Sequence, residues 1–103
     1  MTKQVFLENI QETYRKGLEL IKAKNADYAG DEDPFKNFRS AVIAGVDPKT
    51  AILVRMLDKI ARLGNLLGGR KNKVDERLED TLLDIINYSA ILKALLDDEG
   101  GAV

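Results

Sequence analysis

Asp80, Asp84 and Asn87 recur at steps of four and three, with Tyr88 beside them. Arg55, Asp58, Lys59 and Arg62 recur at steps of three, one and three. On a helix each set falls on one face. Carboxylates one turn apart suit a hard divalent cation, whereas lysine and arginine neutralise phosphate directly. Two shorter pairs add a second kind of chemistry. Asp27-Tyr28 and Asn37-Phe38 each set an aromatic ring beside a carboxylate or an amide. That combination can stack on a nucleobase and read its edge. Each feature also has a plainer reading: the two charged stripes pair as an interhelix salt-bridge ladder, Phe35 and Phe38 anchor a core, and Asp27 and Asn37 form turns.

What the sequence lacks narrows the chemistry further. Among its 103 residues there is no cysteine and no histidine. Disulfides, thiolate metal sites and every Ser-His or Cys-His nucleophile are therefore excluded. Catalysis would fall to carboxylates, lysine, tyrosine or a metal ion held by oxygens. The net charge is −1 with both signs well mixed, so no DNA or RNA partner is expected. The longest apolar run, Ala51 to Val54, is too short to span a bilayer, so no membrane partner is expected. Met1-Thr2-Lys3-Gln4 has no signal-peptide pattern, which makes the cytoplasm the expected location.

The elements that must position these residues are helical. Leu, Ala, Lys, Glu and Asp dominate, and β-branched residues do not cluster. A first helix is predicted from Lys3 to Lys24, with Leu7, Ile10, Tyr14, Leu18 and Ile21 as one apolar stripe. The segment from Asn25 to Pro34, with its Asn, Gly, Asp and Pro, reads as the main break, and Asp31-Glu32-Asp33 as its solvated tip. A short helix follows from Phe35 to Ala44, with Phe35, Phe38 and Val42 facing inward and Gly45 ending it. Asp47 caps a third helix from Pro48 to Leu67, which stops at Gly68-Gly69. Arg70 to Lys73 reads as a solvated basic turn. A fourth helix is predicted from Val74 to Asp97. The whole reads as one domain over residues 1–103, with 1–2 and 98–103 frayed. The third and fourth helices are apolar around most of their circumference, so a homodimer or higher oligomer is expected to complete the core.

The order Lys24-Asn25-Ala26-Asp27-Tyr28-Ala29-Gly30, Asn37-Phe38, Asp58-Lys59-Ile60-Ala61-Arg62-Leu63 and Glu79-Asp80-Thr81-Leu82-Leu83-Asp84-Ile85-Ile86-Asn87-Tyr88 carries a resemblance. It is similar to small phage and bacterial proteins grouped as a nucleotide-modification-associated domain. In that group comparable D-Y-G, N-F, K-I-x-R and D-T-x-x-D-x-x-N-Y segments follow one another at similar spacing. The similarity covers roughly residues 20 to 95, and the last segment is its most specific part. The group in turn resembles the all-α MazG-like nucleoside triphosphate pyrophosphohydrolases, which are helical oligomers that bind Mg²⁺ through an E-x-x-E pair and an E-x-x-D pair.

The resemblance implies an all-α, four-helix MazG-like bundle, oligomeric, with one long N-terminal, one short and two long C-terminal helices. It also implies a nucleotide ligand. The chain departs from the enzyme pattern where the third helix offers Arg55, Asp58, Lys59 and Arg62 in place of two glutamates. This favours binding, and sequestration, of a cyclic dinucleotide or an ADP-ribose-derived signal without turnover and without a cofactor. Asp27, Tyr28, Asn37, Phe38, Arg55, Lys59, Arg62, Asp84, Asn87 and Tyr88 would form that site. The alternative is a Mg²⁺-dependent pyrophosphohydrolase holding its metal on Asp58, Glu79, Asp80 and Asp84. A third reading is a helical oligomeric interaction module whose stripes are internal salt bridges.

Overall fold

The computed structural model describes residues 1–28, 33–69 and 77–100, without the side chains of 26–28. All the described regular structure is helical. Helix α1 spans Lys3–Tyr28, α2 spans Lys36–Arg39 and runs into a 3₁₀ turn at Ser40–Ala44, α3 spans Pro48–Leu67 and α4 spans Leu78–Asp98. The expected basic turn at Arg70 to Lys73 and the residues Asp31 and Glu32 lie outside the described residues.

Local chemistry explains most of the boundaries. Thr2 precedes α1, and its Oγ1 accepts a hydrogen bond from the Val5 N–H at 3.2 Å, as a helix cap does. Asp47 caps α3 through a bond from the Lys49 N–H at 2.8 Å, with Pro48 at the first helical position. Asp33 Oδ1 accepts from the Phe35 N–H at 3.0 Å and sets the turn before α2. Gly45, at φ 74°, adopts the left-handed conformation that ends the 3₁₀ turn.

Three expectations need correction. Helix α1 continues through Asn25 to Tyr28, because single Asn and Asp residues cost a helix only tenths of a kcal/mol, roughly. Helix α4 begins after Arg77, whose backbone is extended, and ends at Asp98. Val42 does not face inward; it is 60% exposed. The cause is the change of period: at three residues per turn the row of Phe35 and Phe38 continues at Ala41, which is half-buried.

Helix α4 is the hub. α3 packs along it, and α1 crosses it on another side. The core lies between α2, α3 and the C-terminal half of α4, where Phe35, Phe38, Ile52 and Leu95 are buried against Met56, Tyr88, Ile91 and Leu92. Arg39 closes this end, bonded to Asp33 at 2.9 Å and Asp98 at 3.1 Å, with its guanidinium over the Phe35 ring. Lys49 joins the start of α3 to Glu99 at 3.0 Å.

The crossing of α1 over α4 depends on a missing side chain. Asn87 Nδ2 donates to the Gly17 carbonyl at 3.0 Å in a buried bond between the two helices. A Cβ at Gly17 would stand 2.9 Å from Asn87 Oδ1. Only glycine admits this approach. We expect Gly17→Ala to cost about 1–3 kcal/mol of unfolding free energy in urea titrations, the range for overpacking a fitted contact. The cost of Asn87→Ala should be smaller in the Gly17→Ala background than in the native chain, because the two changes disrupt one contact.

Candidate functional site

The helical hub gives the site its walls. Residues of α3 at 52, 56, 59, 63 and 66 form the row that turns toward α4, and all five are buried or half-buried. Four of them are apolar and the fifth is Lys59. A lysine in such a row requires a carboxylate opposite, and Asp84 of α4 supplies it. Lys59 Nζ lies 2.8 Å from Asp84 Oδ2, with the side chains 17% and 15% exposed. The other carboxylate oxygen, Oδ1, lies 3.6 Å from Lys24 Nζ of α1. Asp84 therefore joins α1, α3 and α4 at one point.

Beside this junction opens a cavity of about 350 Å³. Its wall combines three cations, Lys24, Lys36 and Arg55, with three amides, Asn25, Asn37 and Asn87. Asp33 and Asp84 add two carboxylates, and Ile21, Pro34, Phe38, Tyr88 and Ile91 supply the apolar part. Arg55 is held with its guanidinium 5.4 Å from the centre of the Phe38 ring. Phe38 in turn meets Tyr88 edge to face, with centroids 6.5 Å apart. The aromatic pair thus belongs to the core and also fixes the one arginine of the wall.

The structure gathers six of the residues expected from sequence around this cavity: Asn37, Phe38, Arg55, Asp84, Asn87 and Tyr88. Lys59 reaches it through Asp84. Arg62 is half-buried on α3 and is not in the wall. The side chains of Asp27 and Tyr28 lie outside the described residues. Sequence reasoning missed Lys24, Asn25, Asp33 and Lys36. The signal for Lys24 was present: Gly17, Leu20, Ile21 and Lys24 follow one helical face at steps of three, one and three.

The proposed metal ligands are not brought together. Among the described residues no three carboxylates form a group that could hold a metal ion. Asp58 is exposed on α3. Glu79 is bonded to Lys16 at 2.8 Å across a shallow depression between α1 and α4, which Asp80 also lines. Asp84 belongs to the cavity described above. Of the expected ladder between α3 and α4, the Lys59–Asp84 pair is present.

The Lys16–Glu79 bond holds the Glu79 carboxyl below its ordinary value of 4.5 and lifts the Lys16 ammonium above 10.5. Because the folded-state value of Glu79 is depressed, its contribution is full above the ordinary carboxylate value and fades as pH falls through the folded one.

Residues 24–96 match the family described as "Nucleotide modification associated domain 1". That stretch is well over half of the chain, and the chain belongs to this family. No curated protein and no solved structure matches it. No described helix is long and apolar enough to cross a membrane.

Two measurements test this geometry. Glu79→Gln should lower stability slightly at neutral pH, as suits an exposed pair, and the difference from the native chain should vanish as pH falls below about 4.5 and the native carboxyl takes up its proton. Asp84→Ala should cost about 1.5–3 kcal/mol in denaturant titrations, because it removes the shared carboxylate from two ammonium groups.

Proposed function

We propose that the cavity between α1, α2, α3 and α4 binds a phosphate-bearing nucleotide and holds it intact, so that the protein sequesters a nucleotide signal without turning it over. The observation that supports this reading most is the make-up of one wall: Lys24, Lys36 and Arg55 stand beside Asn25 and Asn37, and Asp84 sits at the junction. Lysine and arginine meet phosphate oxygens, and amides read the edge of a base. Asp84, oriented by Lys59, accepts from ribose hydroxyls or an exocyclic amine. Membership of a nucleotide-modification-associated family fits the same ligand class.

The volume suits one nucleoside unit, at the small end of the range for ligand pockets. A larger messenger, such as an ADP-ribose compound or a cyclic dinucleotide, would extend through the mouth. Arg55 takes the central phosphate in this reading, because Phe38 already fixes its guanidinium and little freedom is lost on binding.

The test is a thermal-shift screen over nucleoside mono- and triphosphates, ADP-ribose compounds and cyclic dinucleotides, with and without Mg²⁺, followed by chromatography of each hit. A compound that raises Tm and is recovered unchanged is the expected outcome. Arg55→Gln and Lys36→Gln should each weaken it by roughly 10–100-fold, the value of one ionic hydrogen bond. Ile43→Ser, on the exposed 3₁₀ turn, should leave affinity as it was. Recovery of monophosphate and pyrophosphate would replace sequestration with hydrolysis. Affinity unchanged in both Gln variants would remove the ligand from this cavity.

A further inference from the structure

The charges around the cavity are not evenly matched. Both carboxylates of its wall are already met by cations of the fold. Asp33 Oδ2 lies 2.9 Å from Arg39 Nε, while its Oδ1 accepts from the Phe35 N–H. Asp84 Oδ2 lies 2.8 Å from Lys59 Nζ, and its Oδ1 lies 3.6 Å from Lys24 Nζ. Lys36 and Arg55 border the same cavity, and neither stands in an ion pair with a described residue. The Phe38 ring holds the Arg55 guanidinium but has no net charge to offset it.

Two unmatched cations on one cavity of about 350 Å³ call for two negative charges on one nucleoside unit. Phosphates differ in how they carry charge. A terminal phosphomonoester carries roughly −1.5 to −2 at neutral pH, because its second pKa is about 6. A phosphodiester, and each phosphate of a dinucleotide messenger, carries a single charge that does not change near neutrality. A triphosphate brings more charge than the two cations match. Its excess would face Asp33 and Asp84 in the same wall, and like charges at close range disfavour the complex.

We propose that the cavity selects a nucleotide with one terminal phosphate, held as the dianion between Arg55 and Lys36. This rests on the nucleotide reading of the cavity and narrows it to a nucleoside monophosphate. The planar guanidinium of Arg55, already placed by Phe38, takes two phosphate oxygens, and the Lys36 ammonium meets the third as a point charge. The nucleoside then lies toward Ile21, Tyr88 and Ile91, in the apolar part of the wall.

The composition of the chain makes pH a clean probe of this choice. Histidine is the side chain whose ordinary titration falls between about pH 5 and 8, and the chain has none. The charged and titratable groups facing the phosphate are of other types: Lys24 from α1, Asp33 and Lys36 at the start of α2, Arg55 from α3, and Asp84 and Tyr88 from α4. A change of affinity in that window therefore reports the phosphate of the ligand.

The experiment is isothermal titration calorimetry of the full chain with the common ribonucleoside 5′-monophosphates at constant ionic strength. For the tightest of them, affinity should fall about ten-fold from about pH 7.5 to about pH 5, since one unit below its second pKa roughly a tenth of the phosphate remains dianionic. Its methyl phosphodiester should bind about ten-fold more weakly at about pH 7.5, with no change across the window. The matching triphosphate, without metal, should also bind more weakly than the monophosphate. In Lys36→Gln, a change of an exposed side chain, the monophosphate should lose its advantage over the methyl diester. A flat pH profile overturns the proposal and leaves the nucleotide reading in place. So does a triphosphate, cyclic dinucleotide or ADP-ribose compound that binds more tightly, or an advantage that survives in Lys36→Gln. Failure of every nucleotide to bind removes both.

Discussion

One carboxylate with two ammonium groups sets the arrangement of the helices. Asp84 receives Lys59 from α3 and Lys24 from α1, one on each oxygen. Lys59 occupies a row whose other members are apolar, and a charge there must be matched by one of opposite sign. Matching it fixes how far α3 turns about its axis against α4. A buried ion pair is seldom more stable than an apolar pair of the same size. Its physical consequence here is polarity at the junction of three helices, which leaves the adjoining cavity lined by charged and amide groups instead of being closed by packing.

Around that junction α4 works as a spine with two different contacts. Toward α3 and α2 it makes a dry core, in which Ile52 and Leu95 lose all exposure. Toward α1 it makes a narrow crossing at Gly17, held by the buried Asn87 bond. The crossing brings Ile21, Lys24 and Asn25 to the cavity while its other end leaves residues 1–12 exposed. The aromatic chain from Tyr88 through Phe38 to Arg55 carries the rigidity of the core to the cavity wall. Arg55 thus stands on a packed support, and a preorganised guanidinium loses less freedom when it meets a phosphate.

How far the sequence revealed this depended on the range of the interactions involved. Helix α3 was legible residue by residue, because Asp47, Pro48 and the glycines after Leu67 are local signals. The 3₁₀ turn was not, since its period departs from 3.6 and moved the inward position from Val42 to Ala41. Six cavity residues were legible from their spacing and from the family resemblance. Treating Arg55, Asp58, Lys59 and Arg62 as a single stripe concealed a division, for Lys59 alone belongs to the row facing α4 while Asp58 is exposed. Lys24 and Lys36 were missed because their place depends on where α1 crosses α4 and how the chain returns into α2. Those are long-range facts that no local window contains.

The same division accounts for the outward face of α3. A helix has a fixed circumference, and a row that carries Lys59 inward leaves fewer positions at which to bury apolar side chains. Leu53, Leu57 and Ile60 fall one residue beyond the inner row, too far around to reach α4. A monomer designed for stability alone would place Lys59 outside and one of these residues within. The arrangement found here does the reverse: it accepts exposed leucine and isoleucine to keep a lysine at the cavity junction. Exposed apolar surface of this kind is costly unless it is covered. Polarity on the inner side of α3 and exposed apolar surface on its outer side are therefore two consequences of one placement, that of Lys59 opposite Asp84.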